Sequence, residues 1–521
     1  MANSRAFALV LLLCALSCHA AVSYAPVPAK DDFLGCLVKE IPVRLIYARS
    51  SPAFPTVLAQ TIRNSRWSTP QNVKPLYIIT PTNTSHIQSA VVCGRRHGIR
   101  LRVRSGGHDY EGLSYRSERP ETFAVVDLNK MRAVLVDGKA RTAWVDSGAQ
   151  LGELYYAIAK VSPVLAFPAG VCPSIGVGGN FAGGGFGMLL RKYGIAAENV
   201  IDVKVVDANG KLLDKSSMSA DHFWAVRGGG GESFGIVVSW QVKLLPVPPT
   251  VTVFKIPKTV HQGAVDLIDK WQVVAPALPA DLMIRIIAMG DTATFEAMYL
   301  GTCKTLTPLM SSKFPELGMN TSHCNEMSWI KTIPFIHLGK QATLADLLNR
   351  NNTFKPFAEY KSDYVYQPVP KPVWAQILYG WLVKPGAGLM VMDPYGATIS
   401  ATPEAATPFP HRKGVLFNIQ YVNYWFAEAA GAAALQWSKD MYKFMEPYVS
   451  KNPRQAYANY RDIDLGRNEV VKDISTYSSG KVWGEKYFKG NFQRLAITKG
   501  KVDPQDYFRN EQSIPPLVGK Y

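Results

Sequence analysis

The chain has 521 residues, which is more than one hydrophobic core usually serves, so two domains are expected. Its formal net charge is +17, but the basic residues form neither a run nor a basic helix with interleaved aromatics, which argues against nucleic acid as a partner. Hydrophobic residues make up 47% of the chain, yet no stretch provides the ~18 uninterrupted apolar residues of a membrane-spanning helix, so membrane insertion is not expected.

The first 25 residues have the pattern of a secretory signal. Arg5 is followed by an apolar run, Ala6 to Leu16, and by small residues up to Ala25, which predicts cleavage and a secreted protein outside the cell or in the cell wall. The protein is also expected to be a monomer. The positive charge then favours weak attraction to acidic cell-wall polysaccharide, or serves only solubility. Three sequons agree with secretion, and two of them are expected to carry glycan: Asn83, Asn320 and Asn351.

Removal of the signal leaves an odd number of cysteines in an oxidising compartment, so one thiol has another use. The five are Cys36, Cys93, Cys172, Cys303 and Cys324. Pairing Cys36 with Cys93 and Cys303 with Cys324 is the economical arrangement, because it leaves Cys172 alone within a glycine-rich segment. Four cysteines allow three pairings, and the sequence does not decide between them.

Residues 73–246 alternate short β-rich runs with helical stretches, which predicts an α+β unit within a first domain of residues 26–248. The strands are expected at Leu76 to Thr80, Thr122 to Leu128, Arg141 to Asp146, Val200 to Asp207 and Ile236 to Leu245, and helices at Ser85 to Gly94 and Gly152 to Ala159. The proline-rich segment from Leu245 to Pro249 is the best domain boundary in the chain.

Residues 249–455 predict a second, sheet-based domain, and residues 456–521 an ordered aromatic tail. Strands are expected at Val251 to Ile256, Met283 to Ala288, Phe295 to Leu300 and Gly414 to Trp425, and helices at Gln262 to Val274 and Ala427 to Val449. No His-Glu-x-x-His or Cys-x-x-Cys pattern occurs, and the nine histidines lack metal-ligand spacing, so no metal site is predicted.

Two segments carry one good nucleophile each among glycines. Arg104 to Tyr110 contains His108, and Gly170 to Asn180 contains Cys172. A neutral imidazole and a thiolate can add to an electron-poor flavin ring, while glycine amides can bind a diphosphate. The second segment is neither a Rossmann turn, because it lacks the third glycine, nor a P-loop, because no Gly-Lys-Ser/Thr follows. A separate Gly-x-Ser-x-Gly match occurs at Gly231 to Gly235. It is interpreted as accidental, because a strand is predicted after it, where the nucleophile elbow of a hydrolase needs a helix.

These segments resemble the plant berberine-bridge-enzyme-like flavoproteins of the vanillyl-alcohol-oxidase superfamily, and among them most closely the group-four grass pollen allergens. Further matching stretches occur in the same order: Asp221 to Gly231, Pro394 to Gly396, Ala406 to Arg412, Tyr457 to Gly466 and Val502 to Pro516. The resemblance implies an α+β fold in which a PCMH-type domain binds FAD. A second antiparallel-sheet domain would cover the flavin, and the tail would return to the FAD domain.

The resemblance also assigns the cofactor-binding residues. It implies that His108 is bonded to the flavin 8α-methyl group and Cys172 to C6, a bicovalent attachment. The remaining contacts to the diphosphate and ring edge would come from Arg104, Ser105, Gly106, Gly107, Gly176, Gly178, Gly179, Asn180, Gly183, Gly184 and Asn459.

The chain departs from many plant members where they carry catalytic groups. Phe186 stands where they often have tyrosine, Asn418 where they have lysine, and Asn180 where the family has histidine. The polar groups expected to face the flavin are Tyr110, Gln420, Tyr457 and Tyr460. A tyrosinate with a lowered pKa, Tyr457 first among them, is the predicted base.

The resemblance implies an enzyme that transfers a hydride from an alcohol carbon to flavin N5. A carbohydrate or related polyol is the predicted substrate. A monolignol-type aromatic alcohol, or a flavin-containing wall glycoprotein with little turnover, is the alternative. Ile175 corresponds to an oxygen-gating position in the family, where isoleucine tends to exclude O₂, so we expect a dehydrogenase that passes electrons to an external acceptor such as a quinone.

Overall fold

A computed structural model describes residues 30–69, 71–351 and 354–519. The predicted signal, residues 1–25, lies outside them. The fold is α+β, as predicted, and combines several sheets with helices packed on them. Within the described ranges, no helix has both the length and the apolar character needed to cross a bilayer.

The N-terminal half contains a mixed sheet and an antiparallel sheet. In the mixed sheet, with order β1-β2-β4-β3, β1 is antiparallel to β2 and the other neighbours are parallel. Its strands are β1 Ile46–Ala48, β2 Tyr77–Ile79, β3 Arg100–Arg104 and β4 Phe123–Asp127. The antiparallel sheet has the order β5-β6-β10-β8-β9, while β7 pairs with β11. These strands are β5 Val134–Asp137, β6 Thr142–Asp146, β7 Leu165–Ala166, β8 Val200–Val206, β9 Leu212–Leu213, β10 Ile236–Lys243 and β11 Leu245–Pro246.

The second half is built on an antiparallel sheet with the order β15-β12-β14-β13-β17-β18-β16. Its strands are β12 Val251–Thr259, β13 Leu282–Met289, β14 Thr292–Tyr299, β15 Asn325–Met327, β16 Phe357–Val365, β17 Leu389–Pro394 and β18 Phe417–Trp425. The hairpin β19 Val470–Val471 and β20 Ile474–Ser475 follows. The predicted boundary near residue 248 falls between β11 and β12, and the domain limits stay predictions.

The helices pack on these sheets or connect them. In chain order they are α1 Lys30–Leu37, α2 Phe54–Ala59, α3 Thr84–Arg96, α4 Leu151–Val161, α5 Val177–Ala182, α6 Leu190–Tyr193, α7 Ala220–Val226, α8 Ala264–Ala277, α9 Cys303–Lys313, α10 Trp329–Leu338, α11 Lys371–Gln376, α12 Ala397–Ala401, α13 Gly431–Met445, α14 Tyr477–Phe488 and α15 Asn491–Val502. Two disulfides join Cys36 to Cys93 and Cys303 to Cys324, the arrangement expected from the sequence, and Cys172 is a free thiol.

The large antiparallel sheet has two chemically different faces, because successive strand residues point to opposite sides. On one face Ile284, Ile286, Met392 and Ile419 pack into a core with helices α8 and α13. The alternate positions carry several polar residues, among them Arg285, Asp393 and Gln420, together with apolar ones such as Val391. This polar face is turned toward the first half of the molecule.

The C-terminal tail is held against β3 by buried polar contacts. Arg102 Nη1 donates to Glu511 Oε2 at 3.0 Å, and Tyr507 Oη donates to the carbonyl of Ile99 at 3.0 Å. Lys499 is fully buried and donates to Asp503 Oδ2 at 2.7 Å and to the carbonyls of Ser233 and Phe508. The tail is therefore an integral part of the fold.

Removal of the buried ammonium of Lys499 leaves the Asp503 carboxylate without its cation. We expect Lys499→Met to lower the free energy of unfolding by about 3–5 kcal/mol, as when one partner of a buried ion pair is deleted. Lys501→Met is the matched control, because the Lys501 side chain is 64% exposed and its loss should cost under about 0.5 kcal/mol. Urea unfolding followed by tryptophan fluorescence measures both, and equal midpoints would contradict the assignment.

Candidate functional site

A cavity of about 720 Å³ lies between the two glycine-rich segments, the polar face of the large sheet and the tail. This volume is in the usual range of cofactor and ligand sites. Most of the predicted site residues line it: Ser105, Gly106, Gly107, His108, Tyr110, Cys172, Ile175, Gly176, Gly178, Gly179, Asn180, Gly183, Gln420, Tyr457, Asn459 and Tyr460. The structure thus brings together residues that are up to about 350 positions apart in the chain.

The two glycine-rich segments are in direct backbone contact. A Cβ atom built on Gly106 would overlap the backbone nitrogen of Gly176, and one on Gly176 would overlap Gly106. Gly107 has a φ of +70°, which other residues rarely adopt. By contrast, a Cβ on Gly179 would meet nothing within 4 Å, so this glycine leaves open space in the cavity.

Ser174 joins the two nucleophiles. Its Oγ lies 3.1 Å from His108 Nε2 and 3.3 Å from Cys172 Sγ, at hydrogen-bonding distance from both. Burial, with the charges of Arg63 and His337, lowers the pKa of His108 to about 3, so its imidazole is neutral at physiological pH. Burial raises the pKa of the Cys172 thiol, but interactions with His337 and Ser174 outweigh this and leave it lowered.

The sequence analysis missed His337 and Arg63, which both line this part of the cavity. His337 is exposed in the last turn of α10. Arg63 has two guanidinium nitrogens, Nε and Nη1, that are buried and lack a hydrogen-bond partner. Neither residue stands in a recognisable motif, and only the fold places them beside Cys172.

The predicted tyrosines form an aromatic wall. Tyr110 stacks on Tyr360 with 3.5 Å between ring centroids and also on Tyr460, while Gln420 Nε2 donates to Tyr110 Oη at 2.6 Å. Tyr457 lies deeper, 2% exposed, and its Oη accepts from the backbone N–H of Gly185 and from Asn459 Nδ2.

The expectation of a tyrosine with a lowered pKa is wrong for these side chains. Burial raises the pKa of Tyr110, Tyr457 and Tyr460 above the ordinary value. The two hydrogen bonds to Tyr457 act in the opposite direction but do not compensate for desolvation. All three are therefore neutral phenols at physiological pH.

The polar face of the sheet contributes a carboxylate that the sequence analysis also missed. Asp393 and Arg285 line the cavity, and Arg285 Nε donates to Glu296 Oε2 at 2.7 Å. Burial raises the pKa of Asp393, which Arg285 opposes and Glu296 reinforces. Asp109, also in the lining, is engaged by Arg461 at 2.7 Å. A charged residue within an apolar strand was the available signal for Arg285.

Some predicted residues lie apart from the cavity lining. Arg104 is fully buried and pairs with Asp127 at 2.6 Å, so its guanidinium is not placed to contact a cofactor. Gly184, with φ +118°, packs toward Phe409 and Tyr457. Asn418 Nδ2 donates to the carbonyl of Asp363. Ser233 of the Gly-x-Ser-x-Gly match is buried and accepts from the Ile514 N–H ahead of a strand.

Outside the cavity, the three sequon asparagines are exposed: Asn83, Asn320 and Asn351. Their glycosylation stays a prediction. In the part of the chain that the structure describes, no group of three or more His, Cys, Asp or Glu side chains is arranged to hold a metal ion.

Two family profiles match the chain. One is described as "FAD binding domain" and matches residues 75–216, which contain both glycine-rich segments. The other is described as "Berberine and berberine like" and matches residues 456–515, the tail that supplies Tyr457, Asn459 and Tyr460 to the cavity.

Individual relatives match over nearly the whole length. Berberine bridge enzyme-like Cyn d 4 of Cynodon dactylon is 69% identical over 99% of this chain and 100% of its own. The monolignol oxidoreductase AtBBE-like 13 of Arabidopsis thaliana is 41% identical over 99% of this chain and 98% of its own.

The grass pollen allergen Phl p 4, described as a glucose dehydrogenase, superimposes with a TM-score of 0.93 at 85% identity, over 94% of this chain and 100% of that one. A variant of it with isoleucine replaced by valine is described as a glucose oxidase.

The open space at Gly179 gives a direct test of the cavity as a cofactor site. We expect Gly179→Leu to reduce the flavin content of the purified protein at least about tenfold, because its side chain would occupy the cavity. Gly35→Leu is the matched control, since Gly35 is also helical, also has nothing within 4 Å of a Cβ, and lies outside the lining. Absorbance at 450 nm relative to 280 nm measures flavin content. Full flavin content in Gly179→Leu would place the cofactor elsewhere.

Proposed function

The chain belongs to the berberine bridge enzyme-like family, and we propose that it is a secreted, bicovalent FAD-dependent oxidoreductase that oxidises an alcohol group of a carbohydrate. The observation that supports this proposal most directly is one cavity with two chemical features. Ser174 links His108 and Cys172 by hydrogen-bonding contacts, and the buried carboxylate of Asp393 lines the same cavity. A nucleophile pair suits flavin attachment, and a carboxylate suits removal of a hydroxyl proton.

The residues present fit FAD. Gly106, Gly176 and Gly179 line the cavity, and the open space at Gly179 allows the close backbone approach that a diphosphate requires. Asn180 Oδ1, in the lining, is buried and has no hydrogen-bond partner, so it is available as an acceptor for the cofactor. His108 and Cys172 would hold the flavin covalently, and Tyr110 of the first glycine-rich segment and Tyr460 of the tail would contact it. Bound flavin supplies the hydride acceptor at N5.

Asp393 is the residue that we propose accepts the substrate hydroxyl proton, on a carboxylate oxygen. Of the carboxylates in the described lining, Asp109 already accepts from Arg461 and from the backbone N–H groups of Glu111 and Leu113. Asp393 has no such partners, and its raised pKa makes it a better proton acceptor than an ordinary aspartate. Arg285 opposes this rise in the pKa of Asp393, while the neutral tyrosines serve as hydrogen-bond donors that orient the substrate.

A sugar substrate is supported by the description of Phl p 4 as a glucose dehydrogenase and by the polar groups of the cavity. The aromatic wall of Tyr110, Tyr360 and Tyr460 is equally suited to stack on a monolignol, the second candidate. Secretion is supported by the two disulfides, and an acidic wall polysaccharide would suit the net charge of +17.

Anaerobic mixing tests the proposed reaction. The protein is combined without oxygen with glucose, with oligosaccharides and with coniferyl alcohol, and the flavin absorbance at 450 nm is followed. Bleaching by a sugar supports the proposal. Bleaching only by the phenolic alcohol supports the monolignol alternative, and none at all supports a wall glycoprotein with little turnover.

Two covalent bonds should survive unfolding. After acid or detergent denaturation we expect the flavin to stay with the protein. The single variants His108→Ala and Cys172→Ala should each keep the flavin through the bond that remains. The double variant should lose it. Flavin fluorescence on a denaturing gel and intact mass measure the attachment, and a double variant that still retains flavin would show that other residues form the bonds.

The carboxylate of Asp393 gives a kinetic test of the base. We expect Asp393→Asn to slow flavin reduction by the best substrate about 10²-fold or more, because a carboxamide cannot accept the proton. Tyr457→Phe, which removes a hydroxyl with a raised pKa, is the comparator and should slow it less. Anaerobic stopped-flow measurements give the rate of flavin reduction in both variants. A larger loss of rate in Tyr457→Phe than in Asp393→Asn would indicate that Tyr457 is the base.

Ile175 is the residue that we propose limits access of O₂ to the flavin. It lines the cavity three residues after Cys172, and removal of one methylene opens space in a packed interior. Ile175→Val should speed reoxidation of the reduced protein by oxygen and leave its reduction by substrate nearly unchanged. The glucose oxidase description of the isoleucine-to-valine variant of Phl p 4 supports this expectation. Rapid peroxide production by the unaltered protein would contradict the role of Ile175. It would also contradict the expectation that a quinone is the electron acceptor.

A further inference from the structure

The Cys172 thiol has a base beside it that belongs to another part of the fold. His337 is at the C-terminal end of α10, 165 residues after Cys172, and both side chains line the cavity. Each acts electrostatically on the other, and Ser174 Oγ lies 3.3 Å from Cys172 Sγ on the same wall of the cavity. Because His337 is also exposed, a proton that reaches its ring can pass to solvent.

No other neighbour in the described lining is suited to take the thiol proton. Ser174 is a hydroxyl that both donates and accepts but is not basic. His108 has a pKa lowered to about 3, so it holds a proton poorly. Arg63 contributes a positive charge that favours the thiolate but cannot be deprotonated.

We propose that His337 is the general base that activates Cys172 for its attachment to the flavin, an inference that rests on the bicovalent FAD of the proposed function. His337 takes the proton from Cys172 Sγ, and the sulfur electron pair forms the bond to the flavin C6 atom. The hydrogen of C6 leaves as a proton. The two electrons released in this substitution pass to an external oxidant, dioxygen or a quinone, so that the attached flavin ends in its oxidised state.

The surroundings of the pair are consistent with proton transfer. Burial lowers the pKa of His337, but the Cys172 thiolate outweighs this and leaves it raised, as in other cysteine–histidine pairs. The helix C-terminus also favours an imidazolium. The titratable and charged groups that act on the two side chains are Arg63, His108, Tyr110, Tyr155, Arg285, Glu296, Tyr360 and Tyr424.

The test isolates the sulfur bond by placing His337→Gln in a His108→Ala background. The full chain is expressed under riboflavin limitation and then mixed with FAD and duroquinone, a quinone with no free ring position for a thiol to attack, and covalent attachment is followed by intact mass. At pH 7 we expect attachment about 10²-fold slower than in His108→Ala alone. At pH 10 the rate should recover, because an unassisted thiol with a pKa near 8.5 is then ionised. Without oxygen or a quinone, attachment should stop.

His261→Gln in the same background is the control, since His261 is exposed and does not line the cavity. An unchanged rate of attachment at pH 7 in His337→Gln would overturn the proposal. Slow attachment at both pH 7 and pH 10 would also overturn it, because that result would indicate a structural effect of the substitution. If His108→Ala itself never acquires flavin, the sulfur bond and the role of His337 fail together.

Alkylation of the flavin-free protein by iodoacetamide separates these failures. The midpoint of Cys172 reactivity should move to higher pH in His337→Gln, because the thiolate loses its partner. A shifted midpoint with no flavin attachment would leave the pair intact and refute the attachment chemistry. An unshifted midpoint would refute the pair itself.

Discussion

The contact between the backbones of Gly106 and Gly176 is the constraint on which the cavity depends. Any side chain at either position would force the two segments apart, and His108 and Cys172 would then no longer share the hydroxyl of Ser174. The same contact forms a wall without side chains, which is what allows a large anionic ligand to lie close to backbone amides. The nucleophiles and the ligand surface are therefore two results of one packing requirement.

Much of the architecture could be predicted because its signals are local. The apolar runs around β2, β4, β8 and β10 and the alternation in β13 and β14 set strand positions to within a few residues. The proline-rich segment after β11 coincides with the change from one sheet to the next. By contrast β16, which contains Glu359, Lys361 and Asp363, carries no apolar pattern. It is buried because its charges pair with distant residues, such as Lys361 with Asp462 at 3.0 Å, and a single strand does not reveal them.

The site was predictable where glycines surround a reactive side chain and unpredictable where tertiary contacts determine the chemistry. The motifs of His108, Cys172 and the tail tyrosines indicated residues that lie together on the cavity, and their roles stay predictions. The protonation behaviour of the tyrosines was not predictable, because desolvation depends on burial by Phe186, Phe409 and the large sheet. Asp393 and His337 were missed for the same reason, because each is an ordinary residue in its own segment and only tertiary packing places it on the cavity. Arg285 had a local signal, a charge within an apolar strand, but the strand alone does not show which cavity it lines.

The way in which the tail completes the cavity has a consequence for biogenesis. Tyr457, Asn459 and Tyr460 reach the lining because residues about 400 positions after β3 are anchored on that strand. Such distant contacts close late, since the loop between them must be ordered first. A chain still attached to the ribosome therefore has its N-terminal sheets but not a finished cavity. The cavity is complete only when the whole chain has folded, and a protein truncated before residue 499 would lose the contacts that hold Tyr457, Asn459 and Tyr460 on the lining.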